Sequence, residues 1–166
     1  MYYLSEPVDP CKNRYDLEAD QKGGGLRVPL ADRAPRPVGI GRTADGRYRF
    51  VVPLRAGEPV SAFEVLEHQT RRPVWKVSQP TRPDTRQGTI VLGESGGFTQ
   101  QAIPLELPLP SNIAVSADVP DAPAIGRGFL LDEVPEDLAD TDQVIDFDGR
   151  RVSEEEFRQQ VTGEYC

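Results

Sequence analysis

The sequence predicts a mainly β chain: an antiparallel β-sandwich or barrel-like domain with one short C-terminal helix. Three observations carry that expectation. Gly and Pro together supply 31 of 166 residues, and Pro cannot continue a helix interior while Gly weakens one. Turn signals separate short apolar-alternating runs at roughly the 8–12-residue spacing of all-β folds. Only one segment, beginning at Ser153, carries a full set of helix-start signals.

Taken in order, residues 1–25 read as an irregular N-terminal leader ending in Gly23-Gly24-Gly25, and 26–166 as a single β-rich domain. Leu26 to Leu30 is a short run whose Pro29 suits an edge strand. Ala34-Pro35-Arg36-Pro37 is a stiff connector. Val38 and Ile40 alternate with Gly, Asp45-Gly46 marks a turn, and Tyr48, Phe50 and Val52 alternate beyond it, which is a hairpin signal. Val60 to Glu67 fits helical spacing through Val60, Phe63 and Leu66. It also fits alternation through Phe63 and Val65. Aromatic and β-branched content favours two strands, with Val74, Trp75 and Val77 on the second. Gln87–Leu92, Asn112–Val119 and Gly126–Leu131 read as strands, Ala102–Leu107 as a weaker one, and Gly93–Phe98 as a glycine turn. About eight or nine strands are expected up to this point. Val144–Phe147 and Asp148-Gly149 add a strand and turn. A helix over about 153–162 then has Ser153 as N-cap, Glu156 at N3, Phe157 and Val161 on one face, and Gly163 as its stop.

Charge is uneven. The net of −8 argues against a general nucleic-acid binder, which needs cations to displace counterions from phosphate. Residues 1–100 carry a net +3 and residues 101–166 a net −11. Residues 132–148 hold eight carboxylates and no basic residue. Of these, Asp132, Glu133, Glu136, Asp137, Asp140 and Asp142 form a candidate surface for a basic partner. A basic stretch, Arg71, Arg72, Lys76, Arg82 and Arg86, is expected to be a strand edge facing that acidic third, the alternative being a site for an anion or an acidic polymer. No apolar run reaches the length of a transmembrane helix, and the first residues do not make an intact signal peptide.

The two cysteines, Cys11 and Cys166, lie near opposite ends, with no metal-ligand spacing between them. Chain termini often meet at the surface, so a disulfide joining them is expected. It would close nearly the whole chain and place the protein in an oxidising, extracytoplasmic compartment. The alternative is two separate thiols in a cytoplasmic protein.

Few residues suggest chemistry. His68, the only histidine, reads as a turn residue, with no nucleophile-elbow motif to serve it. The glycines at 23–25 and 93–97 lack the following Lys-Ser/Thr and helix of a phosphate loop. Asp146, Asp148, Glu155 and Glu156 are the calcium candidates, from a stretch similar to the second half of an EF-hand loop. It departs from that pattern where Val144 falls at the first ligand position. Trp75 reads as a core anchor. No catalytic or cofactor-binding residue is expected.

Pro73-Val74-Trp75-Lys76-Val77, followed by Gly93-Glu94-x-x-Gly97-Phe98 and a Pro-punctuated strand, resembles small uncharacterised bacterial cell-envelope proteins, often lipoproteins. The ending Asp148-Gly149-Arg150-x-Val152-Ser153-x-x-Glu156-Phe157, with Cys166 after it, is similar to secreted actinobacterial proteins. The resemblance covers about a third of the chain, implies a compact exported β domain, and transfers no catalytic residue.

The expectation is therefore an exported, non-enzymatic β domain that binds a protein or another component of the cell envelope. The alternatives are an acidic cytosolic inhibitor or immunity-type protein that engages a basic partner, a calcium-binding module, and a hydrolase built on paired carboxylates.

Overall fold

The computed structural model describes residues 36–122 and 125–164. The alternation after Val38 becomes β1 (Gly39–Arg42) and β2 (Tyr48–Val51), joined through the Asp45-Gly46 turn, where Gly46 takes φ +88°. The ambiguous stretch resolves as strands: β3 (Ala62–Glu67) pairs antiparallel with β4 (Pro73–Pro80). There follow a short helix α1 (Pro83–Arg86), β5 (Thr89–Val91), β6 (Phe98–Ile103), β7 (Asn112–Asp118), β8 (Ile125–Leu130), β9 (Gln143–Ile145), β10 (Arg151–Ser153) and the helix α2 (Glu154–Glu164).

The strands form two five-stranded antiparallel sheets, β10-β9-β1-β2-β5 (sheet I) and β6-β4-β3-β7-β8 (sheet II). They pack face to face as a sandwich. Its centre is a chain of rings that crosses between the sheets. Phe50 of sheet I lies 5.3 Å from Phe63 and 5.9 Å from Phe129 of sheet II, centroid to centroid. Trp75 meets Phe63 and Phe98 edge-on, a favoured quadrupolar arrangement. Trp75 is fully buried, and its indole N–H donates to Gln101 Oε1 at 3.1 Å. It is the core anchor its flanking valines imply.

Sheet I is covered on its other face by α2. Phe157 and Val161 are fully buried against Val51 and Val144. The Gly-Ile-Gly pattern of β1 explains how the helix comes so close. Ile40 points into the sandwich, while a Cβ on Gly39 would come within 2.9 Å of the Phe157 ring. Arg158 then ties the helix to the far edge of the sheet, donating to Val52 O, Gln87 O and Thr89 Oγ1. Burial pushes its guanidinium below its ordinary value. The capping expected at Ser153 is present, with its Oγ accepting from Glu156 N at 3.1 Å.

Several expectations need correction. Ten strands stand among the described residues, and one of them, Arg151–Ser153, was not foreseen: it pairs with β9 before the helix begins. The helix runs through Gly163 to Glu164. A glycine costs a helix only about 1 kcal/mol relative to alanine, too little to stop it alone. The weak strand expected at Ala102–Leu107 lies earlier, at Phe98–Ile103, where pairing with β4 places it. The strand from Val144 ends at Ile145, since Asp146 opens the next turn. Helix α1 was not foreseen, although Pro83 opens it at a favoured first-turn position. The leader, the Leu26–Leu30 run and both cysteines lie outside the described residues.

Candidate functional site

The residues that suggested chemistry do not converge. Asp146 is fully buried, but its Oδ1 accepts from the backbone N–H groups of Asp148 and Arg150 at 2.9 and 2.8 Å, which organises the β9–β10 turn. The cation beside these carboxylates is Arg150, whose Nε lies 3.5 Å from Asp146 Oδ2 and whose Nη2 lies 3.2 Å from Asp148 Oδ2. Glu155 and Glu156 are exposed on the first turn of α2. Among the described residues, no group of three or more His, Cys, Asp or Glu side chains could hold a metal ion.

The acidic segment is held by its apolar residues. Leu131, Val134 and Leu138 are buried, and two short 3₁₀ turns between them leave Asp132, Glu133, Glu136 and Asp137 exposed. Asp140 and Asp142 are exposed beyond them. Arg42 helps to fix the segment, donating to the carbonyls of Val134 and Pro135. Asp137 forms a two-pronged pair with Arg151 at 3.0 Å, and that hydrogen bond holds its carboxyl below the usual range. The predicted basic edge does not face this segment. Arg72 pairs with Glu67 and Glu106, Lys76 with Glu64, and Arg82 with Glu94 and Asp84. Nearby carboxylates neutralise these cations locally, across the β3–β4 pair for Lys76 and Glu64 and within the connecting segments for Arg82.

Arg71 differs. It sits in the β3–β4 turn at φ +63°, where its N–H donates to Glu67 O. Every other guanidinium among the described residues has a carboxylate or carbonyl partner; Arg71 has neither. It lines a groove of about 320 Å³ on the outer face of sheet II.

Two strands shape that groove. On β7, Ile113, Val115 and Ala117 face the core, so Ala114 and Ser116 face outward. On β8, Gly126 and Gly128 stand directly opposite them. The floor therefore carries no side chain larger than serine. Leu66 and His68 form the wall beside Arg71. The His68 ring lies across Gly128, where a Cβ would come within 3.2 Å of Nδ1. Among the described residues, no carboxylate lines the groove.

One rim of the groove is an open sheet edge. Leu131 N donates to Ser111 O at 2.8 Å, while Gly126 N turns away from β7 to donate to Arg36 O at 2.9 Å. Odd positions of β8 thus bond to β7 and even positions face outward, as antiparallel pairing requires. Arg36 bridges only the start of this edge, at Ile125. Beyond it, the N–H and C=O of Gly128 and the N–H of Leu130 have no backbone partner on that side among the described residues, while the Leu130 carbonyl opens the 3₁₀ turn that follows; both residues are exposed, Leu130 by 48%.

This groove was not read from the sequence. The available signal was the alternation of small residues with apolar ones in Ile113–Ala117 and Ile125–Phe129, which marks a bare outer surface once the inward face is assigned. Of the sequence candidates, it gathers only His68 and Arg71.

No protein-family model matches the chain, and no curated protein or solved structure matches it either. Among the described residues, no helix is long and apolar enough to cross a membrane. What the geometry defines is a two-sheet β-sandwich backed by a helix, with a groove and an open edge on its outer sheet.

Proposed function

We propose that this chain is a non-catalytic binding module of the extracytoplasmic envelope and that it engages its partner through the groove of sheet II. The observation that carries the reading is the coincidence of three features at one place: a small-residue floor, an unpaired Arg71, and an exposed β8 edge. Proteins normally cover or blunt such edges. An open one beside a groove is the geometry used in strand-addition recognition. The compartment rests on the expected Cys11–Cys166 bridge and on the resemblance to envelope proteins.

A second reading keeps the exposed carboxylates Asp132, Glu133, Glu136, Asp140 and Asp142 as the contact surface for a basic protein. Cross-linking in the native cell separates the two. Ala114→Arg fills the groove and should abolish the cross-linked complex, while neutralising those five carboxylates should leave it intact. The reverse result would establish the second reading. Thiol titration under denaturing, non-reducing conditions tests the compartment, with no free thiols expected and two counting against export.

A further inference from the structure

Resting on that reading of the groove, we infer that its occupant is an extended acidic peptide segment of another protein, added as a strand along β8. Each part of the surface selects one property of such a ligand. The outward N–H and C=O of Gly128 and the outward N–H of Leu130 are set to pair with backbone in the extended conformation. The floor of Ala114, Ser116, Gly126 and Gly128 leaves space for an apolar side chain from that strand. Arg71 supplies a planar fork of donors with no acceptor among the described residues, and carboxylates match that fork in two-pronged geometry. His68, Ser116 and Arg127, the other polar groups that line the groove, add no negative charge.

The charge of the site runs against that of the molecule, which is −8 overall. Arg127 also lines the groove but is turned to the carbonyls of Val38 and Asp146, so Arg71, with no carboxylate beside it among the described residues, discriminates locally, with no general attraction for polyanions behind it. A basic peptide would meet Arg71 as a like charge and lose affinity.

Two other occupants share part of this chemistry. One is the chain's own segment Tyr15-Asp16-Leu17-Glu18-Ala19-Asp20, which alternates apolar and acidic residues. The other is a second copy joined edge to edge through β8, which would bring two Arg71 side chains toward one another.

The test uses the full chain and three fluorescein-labelled heptapeptides that alternate valine with aspartate, lysine or serine. Binding is followed by fluorescence anisotropy and by amide NMR shifts. The aspartate peptide should bind saturably, about tenfold tighter than the lysine peptide, and should move the amide resonances of Ala114, Gly128 and Leu130. Arg71→Glu should reverse the preference. Leu130→Pro removes an outward N–H without touching the ladder to β7 and should weaken all three peptides equally, with circular dichroism confirming an intact fold. Equal binding of the aspartate and lysine peptides at these residues would overturn the acidic assignment and leave the groove reading in place. No shift at these residues with any peptide would overturn both. Binding that emerges only in Asp16→Asn/Glu18→Gln/Asp20→Asn would assign the groove to the chain's own segment and overturn an external partner. Dimerisation abolished by Leu130→Pro would assign the edge to a second copy, with the same consequence.

Discussion

At the scale of single residues, two positions show how sharply this fold constrains its side chains. Arg36 is 4% exposed and would be costly to bury unpaired. It donates to Pro53 O at 2.8 Å and to both carboxylate oxygens of Glu58. Burial works to raise the Glu58 carboxyl, but the hydrogen bonds from Arg36 and the Arg55 backbone outweigh it, and the group sits below its ordinary value. A carboxyl that titrates lower in the folded state than in the unfolded one stabilises the fold above the unfolded range, about 4.3. That contribution disappears as pH falls through the depressed value. Glu58→Gln is therefore expected to destabilise the protein at neutral pH by on the order of 3 kcal/mol, because it leaves a buried cation without its counter-charge. It should also flatten the loss of stability on acidification. Urea melts at pH 7 and pH 3 check both, and parallel pH profiles for the two proteins would refute the linkage. Gly39 is constrained by shape. Its missing side chain is the space the Phe157 ring occupies, so Gly39→Ala should cost about 1–3 kcal/mol through overpacking, although alanine suits a strand no worse than glycine does.

At the scale of elements, α2 shows how local and tertiary contributions divide. Its intrinsic signals are the Ser153 cap and the carboxylates Glu154, Glu155 and Glu156 at the positive end of the helix dipole. Ser153→Ala should cost about 1 kcal/mol. Phe157→Ala should cost about 3–5 kcal/mol, because it empties the centre of the cluster that joins the helix to sheet I. Hydrogen exchange distinguishes the two effects. The cap variant should lose protection only in the first turn, and the core variant along the whole helix and into β1. An exposed helix of this length is marginal alone in water, so equal effects from both variants would mean that the packing against β1 and β9 contributes little.

At the scale of the whole molecule, the ring chain from Phe129 through Phe50 and Phe63 to Trp75 and Phe98 makes the two sheets share one core. Trp75 is the only tryptophan and belongs to sheet II, yet its environment depends on Phe50 of sheet I through Phe63. Fluorescence of Trp75 and far-ultraviolet circular dichroism should therefore report one coincident urea transition. Phe50→Leu should shift both to lower urea together. Two separated transitions would show that the sheets unfold independently.

Strand identity was legible along most of the chain, because inward residues such as Phe63, Val65, Ile113 and Val115 alternate regardless of which strands lie beside them. So were the helix from Ser153 and the buried role of Trp75. The pairing of strands was not legible. The order β6-β4-β3-β7-β8 is set by which apolar faces pack together, and no spacing along the sequence encodes it. The groove follows from that order alone. Only when β7 lies between β3 and β8 do Ala114, Gly128, His68 and Arg71 share one surface, and only because β8 falls at an edge do Gly128 and Leu130 keep outward backbone groups. Folding gave the other cations of the basic stretch carboxylate or carbonyl partners and left Arg71 without one among the described residues, since a charge is neutralised by what folding brings within a few ångströms of it.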